Sequence, residues 1–350
     1  MRDPGLWDYC KNKKLCLNHI HWDGGLRPED LFAWYNADVS QDRPPLVWPE
    51  NDVRGNPLPQ AGQPFKDVEE LRGFMHGLLV KQGFGEVFKV SLQTLQDADD
   101  MREMALAHCR YLADHNITFA ETRFAPWYHT DGEMSMQYAI GAAINAFGEA
   151  REETGVEVRP IVCINRELDG EDACLVVEAA RPYANELAGI DLACIENDRP
   201  PWMFRGAFML AKTYGLRRTV HAGEMCDEQT NLDNIYQALE QLDANGISHA
   251  RPLYKKTVDG FDLVEHMIKN QVRLESNPRS NERTFGQDIA ELHLDKLVEW
   301  GVLVTVNPDD PMLWPDGDTV HNLYALGVLY DKEFVDQMVA NSYAAAWTGR

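Results

Sequence analysis

The chain has no Cys-x-x-Cys pair, no internal repeat and no low-complexity stretch. It also has no apolar run of the roughly 18 residues that a membrane-spanning helix needs. Its start, Met1-Arg2-Asp3-Pro4-Gly5-Leu6-Trp7-Asp8, lacks the apolar centre of a signal peptide. The seven cysteines (Cys10, Cys16, Cys109, Cys163, Cys174, Cys194, Cys226) are odd in number and scattered, which excludes a disulfide scaffold and points to a reducing, cytoplasmic setting. Positive charge is scarce: 33 Lys and Arg stand against 56 Asp and Glu, for a net charge of −23. That balance opposes a phosphate backbone, so neither nucleic acid nor a membrane is expected as a partner. Oligomeric state has no signature in the sequence.

What the chain does have is alternation. Short β-type runs at Leu15–Ile20, Ile117–Arg123, Val156–Asn165, Leu187–Ala193, Arg217–His221, Gly246–His249, Val272–Asn277 and Val302–Asn307 are separated, from Ile117 onward, by amphipathic helical patterns. Those patterns cover Met134–Glu152, Asp172–Ala180, Phe204–Tyr214, Thr230–Leu242, Phe261–Lys269 and Ile289–Trp300. Eight strand–helix repeats predict an α/β fold, a (β/α)8 TIM barrel, as one domain over residues 1–350. Gly155, Gly215, Gly246 and Gly301 stand between a helix and the next strand, where a positive φ is common. A helical and loop insertion over about residues 27–116 interrupts the pattern after the first strand. It contains a proline-rich loop, from Arg43-Pro44-Pro45 to Pro57-Leu58-Pro59, and helical patterns at Val68–Val80 and Asp97–Asp114. Its place makes it either a lid over the barrel mouth or a surface decoration.

The polar groups fall at the strand C-termini, the end where barrel active sites are built. His19 and His21 are two apart on a strand, so both side chains face the same side, as half of a metal site requires. His221 follows a strand and is succeeded by small Ala222 and Gly223, with Glu224 near enough to carry a proton without ligating. Adjacent Asp309 and Asp310 close the last strand, and a nearby cation is the simplest way to keep both ionised. Hydrogen-bonded strand-end histidines and solvated loop carboxylates are the bland readings of the same residues.

In order along the chain, His19-Ile20-His21-Trp22-Asp23-Gly24, Glu121-Thr122-Arg123-Phe124-Ala125-Pro126, Ile190-Asp191-Leu192-Ala193, His221-Ala222-Gly223-Glu224, Ser248-His249, Pro278-Arg279-Ser280-Asn281 and Asp309-Asp310-Pro311 resemble the adenosine deaminase family of the amidohydrolase superfamily. The resemblance implies one catalytic zinc (Zn2+) per chain, held by His19, His21, His221 and Asp309 together with a water. It implies that His249 handles the proton of that water, that Glu224 protonates the ring nitrogen beside the amino-bearing carbon, and that Asp310 hydrogen-bonds the hydroxide or the ring. Asp23 matches the position that contacts the ribose 5′-hydroxyl, and Cys194 the glycine whose N–H faces the purine. The implied reaction is adenosine or deoxyadenosine plus water to inosine plus ammonia, with a small-molecule purine nucleoside or nucleotide as partner.

Three departures leave the substrate open: Cys194 in place of that glycine, Asn277 where many members have cysteine, and Ala250-Arg251-Pro252 after His249. The same chemistry on AMP or ATP, adenine or a modified adenosine is the alternative. Arg251, Lys255, Lys256, Arg279 and Arg283 form a basic cluster that would suit a phosphate, although pairing with the abundant acids accounts for them better. His76, His108, His266 and His293 fall in helical patterns and read as surface or packing residues, and His115 and His129 fall in loops. A His-x-Glu with Pro-Cys-x-x-Cys, the mark of cytidine-deaminase-type enzymes, is missing. A non-deaminating amidohydrolase or a catalytically silent binding protein is the weaker alternative, because Glu224 and every implied ligand are present.

Overall fold

The computed structural model describes residues 2–37, 44–51, 56–82, 84–131 and 134–348. Ten strands occur among them in chain order: β1 (Leu15–His21), β2 (Ile117–Phe124), β3 (Glu157–Asn165), β4 (Gly189–Ala193), β5 (Arg217–Ala222), β6 (Gly246–His249), β7 (Thr257–Val258), β8 (Phe261–Asp262), β9 (Arg273–Ser276) and β10 (Leu303–Val306). Eight form one parallel sheet in the order β1-β2-β3-β4-β5-β6-β9-β10, and β7 pairs antiparallel with β8 as a small separate ribbon. The two edges of the large sheet meet. His21 N donates to Asp309 O at 3.0 Å, and the Asn307 side-chain oxygen accepts from the amides of Asn18 (2.8 Å) and His19 (3.1 Å). This closure makes the sheet the (β/α)8 barrel that the alternation predicts.

Helices wrap the sheet because the outward strand residues are apolar and need cover; Leu17, Ile20, Val162, Ile164, Ile190, Val220, Ile247 and Val304 are all fully buried. Three of the four marker glycines have the expected positive φ (Gly155 73°, Gly215 70°, Gly301 100°). Gly246 does not. It opens β6, and a Cβ there would stand 2.8 Å from Glu275 Oε1 and 3.0 Å from Thr219 Oγ1, so close approach requires the glycine. The Phe261–Lys269 pattern is a strand, β8, and then a helix, Leu263–Lys269, capped by Asp262. Ile289–Trp300 breaks at His293, which has φ 49°. Helices at Pro4–Lys11, Pro278–Phe285, Thr319–Leu329 and Lys332–Ala345 have no counterpart in the expectations. The last of them packs on β1 and β10, where Asn341 Nδ2 donates to Val304 O and Asn18 Nδ2 to Ser342 O.

Between β1 and β2 lie helices Pro28–Phe32, Val68–Gln82, Phe84–Ser91 and Ala98–Asp114. Residues 43 and 52–55 of the proline-rich loop lie outside the described residues. Helix Val68–Gln82 packs on the turn Pro311–Leu313, and helix Phe84–Ser91 on the turn Asp23–Gly25. Those two helices therefore sit on the mouth-side turns, while helix Ala98–Asp114 lies in the outer wall, packed on helix Met136–Thr154 and on β2. No helix among the described residues is long and apolar enough to cross a membrane.

The barrel interior is ionic. Arg123, fully buried, donates to Asp191 Oδ2 (2.7 Å), to Glu275 Oε2 (2.9 Å) and to the Asn18 carbonyl (2.7 Å). Below it Arg273 bonds both Glu275 and Glu121. Removing one member of such a cluster leaves charges buried without partners, which is costlier than never having had them. Arg123→Met is expected to destabilise the fold by about 3–5 kcal/mol, read by urea denaturation. A loss under about 1 kcal/mol would show that the cluster is not holding the barrel.

Candidate metal and catalytic site

The strand ends bring His19, His21, His221 and Asp309 together, with their ligand atoms all within 4.8 Å of one another. His19 Nε2 is 2.9 Å from Asp309 Oδ1, and His21 Nε2 lies 3.5 Å from that oxygen and 3.3 Å from His221 Nε2. The outer nitrogens of two rings are taken. His19 Nδ1 meets Glu275 Oε2 (3.2 Å) and Ser248 Oγ (3.0 Å), and His221 Nδ1 meets Asp191 Oδ2 (3.0 Å). Protons placed on those Nδ1 atoms leave bare Nε2 lone pairs facing a carboxylate and each other. That arrangement is repulsive unless a cation lies between them, so the donor set fits a divalent metal with carboxylate-backed histidines.

Burial keeps the rings neutral, as ligation requires. It lowers His21 well below the ordinary histidine value, Asp309 opposing it only partly, and lowers His221 despite Asp191. The two adjacent strand-end aspartates differ in their surroundings. Burial raises both, but His249, His19 and His21 hold Asp309 well below the usual carboxylate range. Asp310, with Asp309, Asp23 and Glu224 around it and Arg123 opposing them only partly, is pushed well above that range. Asp310 packs so tightly on Gly24 that a Cβ there would lie 1.6 Å from its Oδ1.

Glu224 stands outside the ligand set, with Oε1 3.7 Å from His249 Nε2. Burial pushes its carboxyl up to about 7, so it carries a proton for much of the time at neutral pH. Its loop is clamped by a residue the sequence reading missed. Glu196, buried, accepts from the amides of Gly223 (2.8 Å), Glu224 (2.9 Å) and Met225 (3.1 Å). No pattern marks Glu196, because Ile195-Glu196-Asn197-Asp198 reads as a solvated loop. His249 Nδ1 meets Asn281 Oδ1 at 2.9 Å, and Nε2 accepts from Asn277 at 3.3 Å, leaving Nε2 as the basic edge toward Glu224 and Asp309. Burial lowers His249, but Glu224 and Asp309 more than offset this and raise it. Ser280 Oγ donates to Asp309 Oδ2 at 2.7 Å.

Cys194, His249 and Asp309 have φ of 76°, 66° and 65°, a left-handed backbone that costs side-chain-bearing residues about 1–2 kcal/mol each and gathers at functional sites. The φ at Cys194 shows why a glycine would suit that position. Asp23 is buried beside the Gly24 amide, and burial raises it to about 6. The basic cluster disperses: Arg251 bonds the Glu224 carbonyl and stacks on Phe285, Lys255 faces Glu228, Lys256 lies over Trp300, Arg279 pairs with Glu282 and Arg283 with Asp316. His129 turns away from the mouth to Thr94 O, and His108 is buried against Thr122.

Comparison with known proteins agrees with this geometry. The adenosine deaminase family's sequence model matches residues 14–349. The chain belongs to the adenosine deaminase family. As a family member it is a hydrolytic deaminase acting on a C–N bond of a cyclic amidine. An adenine deaminase of Ralstonia nicotianae is 30% identical over 88% of this chain and 82% of its own length. An adenosine deaminase of Clostridium acetobutylicum is 29% identical over 83% and 80%. The crystal structure of adenine deaminase from Arthrobacter aurescens superposes with a TM-score of 0.74 at 24% identity, over 96% of this chain and 94% of that one.

Because Asp191 fixes the ring of His221, Asp191→Asn is expected to weaken divalent-metal binding by about 10–100-fold, measured by chelator competition. Unchanged affinity in a folded variant would remove Asp191 from the support of the site.

Proposed function

We propose that this family member is a zinc-dependent adenine deaminase, converting 6-aminopurine and water to hypoxanthine and ammonia. His19, His21, His221 and Asp309 would hold one zinc per chain. The observation that carries the reading is the pairing of that donor set with a buried, proton-bearing Glu224 beside it. The choice of the free base over the adenosine expected from the motifs is supported by its relatives, among which are the adenine deaminases of Ralstonia and Arthrobacter. A nucleotide's phosphate finds less support, because each residue of the basic cluster is engaged elsewhere. Adenosine is the second reading, favoured by the Clostridium relative.

A divalent ion at the four donors supplies Lewis-acid activation of water near neutral pH. The chain does the rest. Glu224 donates its proton to the ring nitrogen N1, which makes C6 electrophilic. His249 Nε2, aimed through Asn281, takes one proton of the water as it adds to C6 and returns it to the departing nitrogen, while the remaining hydroxyl proton passes back to Glu224 as the C6 carbonyl forms. Asp310, protonated, donates to the ring on the side opposite Glu224. Burial of all four groups keeps bulk water from competing.

Two experiments test this. An ammonia-release assay of the zinc-loaded protein should give its highest kcat/KM on adenine, ahead of adenosine, deoxyadenosine and AMP; a preference for any of these overturns the substrate assignment. Glu224→Gln should keep its zinc and lose about 10²–10⁴-fold in kcat, and near-normal turnover would remove Glu224 as the acid.

A further inference from the structure

Asn165 ends β3 fully buried, and among the described residues neither its amide nitrogen nor its amide oxygen has a hydrogen-bond partner. A buried amide without partners costs free energy, so one retained in a native fold is a group awaiting a ligand. The register of the sheet shows which way it faces. Cys163 pairs with Asp191, whose carboxylate bonds Arg123 and His221 inside the barrel, and Asn165 pairs with Ala193 two residues on. Side chains two apart on a strand share a face, so Asn165 lies on the interior side, one layer nearer the mouth than Asp191. Ala125, Cys163 and Ala193 pack together on this wall with Tyr128 and Cys194. Ala193, the register partner of Asn165, sets only a methyl group beside the amide.

This wall, from β2 to β4, is the part of the mouth that carries neither metal ligands nor proton carriers; those come from β1, the ends of β5 and β6, and the end of β10. On the proposed reading, the substrate's C6 meets the ligand cluster, with N1 at Glu224 and the opposite ring side at Asp310. The remaining edge of the purine, carrying N3 and N9, then turns to the β2–β4 wall. In the free base that edge presents an acceptor at N3 next to an N–H donor at N9. An asparagine amide is its complement, donating from Nδ2 and accepting at Oδ1.

We propose that Asn165 is a specificity-determining residue that clasps the N3/N9–H edge of a free purine and so selects the base over N9-substituted nucleosides. An N9 substituent removes the donor and leaves the amide oxygen unpaired, a type of mismatch that discriminates more strongly than lost apolar contact.

The inference rests on the adenine reading, and the test separates the two. kcat/KM is measured for adenine, 9-methyladenine and adenosine with the zinc-loaded wild-type enzyme and with Asn165→Leu and Asn165→Ser, zinc content being checked in each. Wild-type enzyme should prefer adenine to 9-methyladenine by at least about 10-fold, and Asn165→Leu should lose about 10–100-fold on adenine, mainly through KM, while changing little on 9-methyladenine. If wild-type enzyme deaminates adenine but the adenine to 9-methyladenine ratio is the same in the variants, Asn165 is overturned and the adenine reading stands. Wild-type enzyme inactive on adenine overturns both. Should neither variant fold, the wild-type ratio decides alone, and equal rates on adenine and 9-methyladenine overturn the clasp.

Discussion

The guanidinium of Arg123 is the point on which the site depends. It binds two buried carboxylates, Asp191 and Glu275, and each of these binds the outer nitrogen of a histidine, His221 and His19. Arg123 thus helps keep both carboxylates ionised, with Arg273 sharing Glu275, and the carboxylates in turn set the tautomers that turn two Nε2 lone pairs into the ligand cluster. Arg123 acts as the stand-in charge beneath the metal position. Without it Asp191 would lose its only arginine partner among the described residues and Glu275 one of two, and the carboxylates that orient the rings would be held less firmly.

Above this layer the mouth holds carboxyl groups in different protonation states by environment alone. Asp309, among imidazoles, is held ionised; Asp310, its neighbour in sequence, faces other acids and is pushed toward the neutral form; Glu224 is raised by burial. On the proposed reading, carboxyl side chains thus serve as ligand, as hydrogen-bond donor and as proton carrier. The clamping of residues 223–225 by Glu196, and of the Glu224 carbonyl by Arg251, fixes the backbone from which the proton carrier hangs.

Much of this was legible in the chain. The alternation of β-type runs and helical patterns is a local property, and it located all eight barrel strands to within a residue or two at their ends. The motifs marked His19, His21, His221 and Asp309 because each stands at or just past the end of an apolar strand. Arg273 and Glu275 were also visible as charges inside an otherwise apolar run, although the sequence reading passed over them. The helices beyond β10 escaped it, as did Pro278–Phe285, whose run of polar residues hides its amphipathic face.

Sequence alone determined the barrel, the polarity of its mouth and the four residues, His19, His21, His221 and Asp309, that the fold gathers there, because strand periodicity and motif order are read along one dimension. Only the tertiary structure decided which charges neutralise one another. Composition favoured acid pairing for the basic cluster, but only the fold gave each cation its partner. Glu196 looked like a loop acid until three amides were found on it. Asn165 looked like an ordinary strand end until the sheet register turned its unpaired amide into the mouth. Pairing, burial and register depend on residues far apart in the chain, and no local pattern encodes the distance between them.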